Sequence, residues 1–197
     1  MSGLSSSAEG VEGALAYLSG PAAVAERLHS EADEAPRTIL RLFFERLAGE
    51  TVGDVARTLA AVTDDFALSA TDPGGTNVSG RADLRASVER LSSLAGQMLI
   101  WFDFDEIVLQ GGSLGVFGTM HTTCSTSFAV ANLGHSAEVG EGTLTKDSAL
   151  SILCRYEGGL MSREDAMFIP SASEMLHTPG ARLPTLGSLD RALASLV

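Results

Sequence analysis

Apolar residues at Ile39, Leu40, Phe43, Phe44 and Leu47 recur at helical spacing and predict a helix over about Ala35–Ala48, with Gly49 as its stop. Val52, Val55, Leu59 and Val62 continue as a second helix, with Thr51 as N-cap, Asp54 completing a capping-box-like entry, and an end near Asp64. Phe66–Ala70 alternates as a short strand and runs into Asp72-Pro73-Gly74-Gly75, a turn signal. Gly80 opens a third helix, in which Leu84, Val88, Leu91 and Leu94 repeat until Ala95-Gly96. Upstream, Val11, Leu15, Leu18, Val24 and Leu28 predict one or two short helices broken at Gly20-Pro21, preceded by a Ser- and Gly-rich stretch, 1–10, read as frayed.

After Gly96 the apolar period changes from 3.6 to 2. Four long strands are expected: Met98–Gln110, Ser113–Val130, Asp147–Tyr156 and Leu160–Phe168. Gly111-Gly112 and Glu157-Gly158-Gly159 join pairs of them as hairpin turns, so the sheet is mainly antiparallel. Leu133–Leu144 reads as a wide loop, and a tail from Pro170 closes with a short helix, Leu189–Val197. The organisation is thus an N-terminal helical extension (1–34), a central domain (35–168) and a C-terminal tail (169–197). In the first long strand Met98, Ile100, Phe102 and Phe104 share the face expected against the helices. Trp101, Asp103 and Asp105 share the other, which suits a dimer surface or cavity rim. Both faces of Leu114–Cys124 are apolar or small, so a homodimer is expected.

Composition narrows the function. The chain has 197 residues, 45% of them hydrophobic, enough for one sizeable core. Thirteen basic against 25 acidic residues leave a net charge of −12 without a basic cluster, which excludes the field that attracts nucleic acid or an anionic bilayer. No signal peptide or membrane span is legible near the N-terminus, and a cytoplasmic location is expected. Cys124 and Cys154 lie in apolar runs and read as buried thiols. His29, His121, His135 and His177 have no ligand spacing, so no metal is expected. No dinucleotide fingerprint, phosphate loop, nucleophile elbow or Cys-x-x-Cys occurs, and no cofactor is expected.

Three segments carry a resemblance: Asp64-Asp65-Phe66 after the second helix, Val78-Ser79-Gly80-Arg81-Ala82-Asp83-Leu84 opening the third, and Arg155-Tyr156-Glu157-Gly158-Gly159-Leu160 entering the last strand. With the order of elements over 35–168, they resemble the nuclear transport factor 2-like (SnoaL-like) superfamily. The resemblance implies an α+β, cone-shaped fold, three helices packed in a curved, mainly antiparallel sheet, whose open end is commonly a pocket. One such fold carries many activities.

Asp72, in Thr71-Asp72-Pro73, is similar to the segment carrying the proton-shuttling aspartate of the related ketosteroid isomerases. A carboxyl in an apolar cavity has its pKa raised towards the range useful for moving protons. The alternative is a turn-starting aspartate bonded to backbone amides. The positions matching that family's oxyanion tyrosine and protonated aspartate are Phe43 and Ile152, which argues against steroid isomerisation. Asp165, in Arg163-Glu164-Asp165, resembles the arginine–aspartate segment of limonene-epoxide hydrolases; the partner positions around Gly118–Thr122 carry no carboxylate, and the alternative is a set of solubilising strand charges. His121, on one face with Phe117, Thr119, Thr123 and Ser125, is an acid–base candidate if it faces the interior, as histidines do in the related scytalone dehydratases, and otherwise a satisfied core or dimer-face residue. The expectation is a pocket for a small, mostly apolar organic molecule, contacted by Phe43, Trp101, Phe117 and Ile152. Asp72, His121 and Asp165 are the candidate catalytic groups for cofactor-free isomerisation, dehydration or cyclisation, the alternative being a non-catalytic binding or dimeric assembly module.

Overall fold

The structure, a computed structural model, describes residues 11–71 and 76–197. Its helices are α1 (Ser19–Ser30), α2 (Glu34–Val52), α3 (Val55–Ala60), α4 (Gly80–Ser93), α5 (Thr126–Asn132) and α6 (Leu186–Leu193). The strands are β1 (Val62–Thr71), β2 (Asn77–Ser79), β3 (Met98–Gln110), β4 (Ser113–Ser125), β5 (Gly142–Glu157), β6 (Leu160–Pro170) and β7 (Leu176–Pro179). They form one open, mixed sheet in the order β2-β1-β6-β5-β4-β3, with β7 added to the first residues of β5. Only β1 and β6 run parallel, so the sheet is mainly antiparallel as expected. No helix among the described residues is long and apolar enough to cross a membrane.

The long strands follow the period-2 reading closely, and the differences have local causes. α2 runs past Gly49 to Val52 and stops at Gly53, whose φ of 74° terminates it with a left-handed residue. Gly49 serves packing instead: a Cβ there would lie 2.5 Å from Thr58 Oγ1, so its absence lets α3 approach α2. Thr51 lies inside α2 and donates to the Leu47 carbonyl, while Asp54 is the residue whose side chain accepts from the Arg57 amide and caps α3. Val62–Asp64 belongs to β1 rather than to a helix. The expected strand Ser113–Val130 ends at Ser125, whose hydroxyl caps α5 through the Phe128 amide. β5 starts five residues before Asp147, because β7 in the tail pairs with Gly142–Thr145. The closing helix is α6, over Leu186–Leu193.

Residues of α1, α2, α3, α4 and α6 are buried together against one face of the sheet. Phe43, Phe44 and Leu47 of α2 pack with Leu114 and Val116 of β4 and Leu150 and Ile152 of β5 in one continuous buried cluster. Leu18, Val24 and Ala25 from the N-terminal segment and Leu189, Ala192 and Leu193 from the tail are buried in the same cluster, so both flanks complete this core. Pro21 sits in the first turn of α1, where its missing N–H costs nothing. Gly20 beside it permits contact with β3: a Cβ would lie 2.9 Å from the Phe102 carbonyl oxygen.

Candidate functional site

Register decides which residues face the helices. Phe102 pairs with Met120, Met120 with Ser148, Leu150 with Phe168, Ile152 with Ala166, and Glu164 with Leu68. These residues and their alternates form the helix-facing surface, and the residues between them form the outer surface. Glu164 is therefore aimed inward with Ala166 and Phe168, whereas Arg163 and Asp165 point outward.

Under the helices lies a cavity of about 390 Å³. Its walls are largely apolar, with Leu68 and Ala70 from β1, Ile100 and Phe102 from β3, and Ala166 and Phe168 from β6. Pro184, Leu186 and Leu189 of the tail close one side. Its charged lining residues are Arg46, Glu50, Arg90 and Glu164.

Arg46 comes from α2, where Ile39, Phe43, Arg46 and Glu50 follow one another at spacings of four, three and four and so lie in a row. Arg46 is 3% exposed and Glu164 5%. Nη1 of Arg46 lies 2.7 Å from Glu164 Oε2 and Nη2 lies 3.1 Å from Glu50 Oε1, with the guanidinium 5.4 Å over the Phe66 ring. The pair with Glu164 closes without hydrogen-bond alignment: Arg46 Nε and Glu164 Oε2 are both enclosed and take no hydrogen bond. Two charges withdrawn from water with part of their bonding capacity unused form a costly element of the fold.

The electrostatics follow from that burial. Desolvation raises the Glu164 carboxyl above its ordinary value, Arg46 opposes it, and the charges of Glu50 and Asp165 add to it. Burial works against the Arg46 charge, but Glu164 and then Glu50 outweigh it and hold the guanidinium pKa above normal. Cys154, the cross-strand partner of Glu164, is raised well above the ordinary thiol by burial and then by the Glu164 charge. Tyr156 is raised by burial and by Cys154 and Glu164. A protonated thiol and phenol therefore stand beside the ion pair. The arrangement holds a carboxyl of weakened acidity against an apolar hollow, which suits it to pass a proton to and from a bound molecule.

The residues singled out in the sequence fall in several places. Asp72 lies outside the described residues; Ala70 and Thr76, on either side of that segment, line the cavity. His121 faces outward, across the sheet from the cavity. Its Nδ1 lies 2.8 Å from Asp147 Oδ1 and its Nε2 3.0 Å from Asp103 Oδ2, and its ring stacks on Trp101 at 3.8 Å between centroids. Trp101 is also on the outer face, donating to Thr123 Oγ1 and meeting the Tyr17 ring edge-on. Asp165 is outward, clasped by Arg163 through both carboxylate oxygens, and those hydrogen bonds lower its pKa. Phe117 is outward and exposed. Phe43 and Ile152 are buried in the core without lining the cavity; Phe43 packs on Phe104. Among the described residues no group of three or more His, Cys, Asp or Glu is placed to hold a metal.

Arg46 and Glu164 were not singled out in the sequence. The signal for Arg46 was a charge on the apolar row of α2; for Glu164 it was an acid alternating with Ala166 and Phe168. Neither pattern reveals the partner, which is 118 positions away in the chain.

No family model and no curated protein matches the chain. Solved structures do. A nuclear transport factor 2-like protein from Burkholderia xenovorans superposes with a TM-score of 0.50 at 15% identity, over 80% of this chain and 96% of that one. Proteins described as SnoaL-like polyketide cyclases are similar as well. The one from Shewanella putrefaciens has a TM-score of 0.55 at 10% identity over 74% of this chain and 86% of its own. The one from Shewanella denitrificans has a TM-score of 0.51 at 12% identity over 65% and 88%. At such identities the likeness carries the architecture: the chain has the nuclear transport factor 2-like α+β fold expected from its sequence.

Proposed function

We propose that the cavity binds a small, largely apolar organic molecule and that Glu164, paired with Arg46, transfers the proton in a cofactor-independent isomerisation, dehydration or cyclisation. One observation carries this reading: a carboxyl 5% exposed, its acidity weakened by desolvation, forms part of the wall of a cavity of about 390 Å³. That volume is in the range of roughly 300–1,000 Å³ usual for ligand sites. As a base, Glu164 takes a proton from the bound molecule, and Arg46 stabilises the carboxylate before and after transfer. As an acid, it returns the proton to a second position on the molecule, so isomerisation consumes nothing else. His121 and Asp165 have no part in this scheme, because both stand on the outer face.

The test is mass spectrometry of the molecule that co-purifies with the protein, followed by its incubation in heavy water. Deuterium should enter the ligand with wild-type protein and enter at least a hundredfold more slowly with Glu164→Gln, the lower range for loss of a general base. Equal exchange with both proteins removes Glu164 from the mechanism. A second reading, a binding or assembly module without chemistry, is favoured by the tail's closure of one side of the cavity. It predicts retention of the ligand by both proteins and exchange by neither.

The same proposal includes a homodimer through the outer face of the sheet. Phe117 of β4, Leu153 of β5, and Met167 and Ile169 of β6 are all exposed there; Phe117 and Met167 flank Ser151 from either side, and Leu153 stands two residues along β5 from Ser151. Sedimentation should show a dimer that Phe117→Asp dissociates. A cytoplasmic setting is supported by two buried thiols, Cys124 and Cys154, that form no disulfide.

A further inference from the structure

The charged residues of the cavity are unequally committed. Arg46 is enclosed between Glu50 and Glu164, so the inner end carries two carboxylates around one guanidinium. An anionic group entering that end would meet net negative charge at low dielectric. Arg90 is different. It lies in the last turn of α4, is exposed, lines the cavity, and forms no ion pair among the described residues. Its sequence neighbour Glu89 is engaged instead by Arg85, at 3.8 Å.

Exposure together with cavity lining places Arg90 at the rim. An arginine in such a place keeps its guanidinium in contact with water. Ser87 and Leu91 lie three residues before and one after it, so all three share the cavity-facing side of α4. The Ser87 hydroxyl forms no hydrogen bond within the described residues, so two uncommitted donors, a guanidinium fork and a hydroxyl, stand one turn apart at the opening. Carboxylates match such a fork in charge and planar spacing, and sulfonates match it in charge and offer a pair of oxygens to its two N–H groups.

Resting on the cavity reading above, we infer that the ligand is an organic anion: a hydrocarbon body inserted towards Glu164, and one carboxylate- or sulfonate-type head held at the rim by Arg90 and Ser87. The polarity of the cavity fixes that orientation, since the cation is at the mouth and the net negative cluster is inside. The chain's net charge of −12 gives no long-range attraction for such a ligand, so its preference for an anion has to be local to Arg90.

Two fluorescent probes of similar shape test this: anilinonaphthalene sulfonate, which is anionic, and phenyl-naphthylamine, which lacks the sulfonate. Wild-type protein should bind the sulfonate about fivefold more tightly, the size of one partly exposed charge contact. Arg90→Gln should erase that preference while changing phenyl-naphthylamine binding by no more than about twofold, and Arg90→Lys should keep most of it. Equal affinities in wild type, or a preference that survives in Arg90→Gln, overturns the inference and leaves the cavity reading standing. Ala166→Trp, with Met120→Trp as a second filled variant, should abolish binding of both probes. Binding that persists in a filled, folded variant, or no binding of either probe to wild type, overturns the cavity reading itself.

Discussion

Replacing Arg46 by methionine tests the ion pair at the cavity wall. Arg46 and Glu164 are 3% and 5% exposed, and their charged atoms lie 2.7 Å apart. Removing the guanidinium strands a buried carboxylate beside Glu50, a change that costs about 3–5 kcal/mol when one partner of a buried pair is deleted. Loss of the cation over Phe66 adds up to about 1 kcal/mol, offset in part by packing of the flexible methionine. In urea unfolding, with a slope of about 2 kcal/mol/M, the midpoint should fall by roughly 1.5–2.5 M at constant slope. Adding Glu164→Gln removes the stranded charge, so the double variant should be more stable than Arg46→Met alone. The cost should also shrink at about pH 5 relative to pH 8, because a carboxyl deprived of Arg46 takes up a proton, at about 1.4 kcal/mol per unit of raised pKa. A loss below about 1 kcal/mol at pH 8, or a double variant less stable than the single, would refute the reasoning.

Three further outcomes follow from the same structure. Burial raises the Glu164 carboxyl in the folded chain, so the native state holds that proton more tightly than the unfolded state; its contribution is complete below the ordinary value of 4.5 and is lost as pH rises through the raised value. Against Glu164→Gln, wild type should therefore lose stability as pH rises above about 4.5, and a difference that stays constant with rising pH contradicts the assignment. Asp165 has the opposite sign: Arg163 holds it low, so its contribution is present above 3.8 and is lost as pH falls through the lowered value. Gly118→Ala in β4 places a Cβ on the Asp103 carbonyl oxygen beside the β3 bulge, whereas Gly115→Ala on the same strand has 3.7 Å of clearance to the Phe117 ring. The first should lower stability by about 2–3 kcal/mol and the second by less than about 1 kcal/mol in thermal unfolding; equal effects would deny the close approach.

Periodicity in this chain was sufficient for the order of the long helices and long strands and for the bounds of β3, though not for β2, α5 or β7, because a strand's alternation and a helix's repeat are local consequences of backbone geometry. The turn glycines of the hairpins and the charge balance were equally legible. The faces of β3 were legible as well, with Ile100 and Phe102 towards the helices and Trp101 away from them, but those of β4 and β6 were not. Arg163-Glu164-Asp165 alternates whichever way it is read, and His121 stands in a strand whose two sides are similarly apolar or small. Only the placement of helices on one side of the sheet sends Glu164 into the core and His121 and Asp165 outward. The tail reads in sequence as a segment closing with a short helix, yet β7 extends the sheet and α6 closes one side of the cavity, because both depend on partners far along the chain. Local spacing therefore determined the long elements, and long-range pairing decided the short ones and which side chains meet.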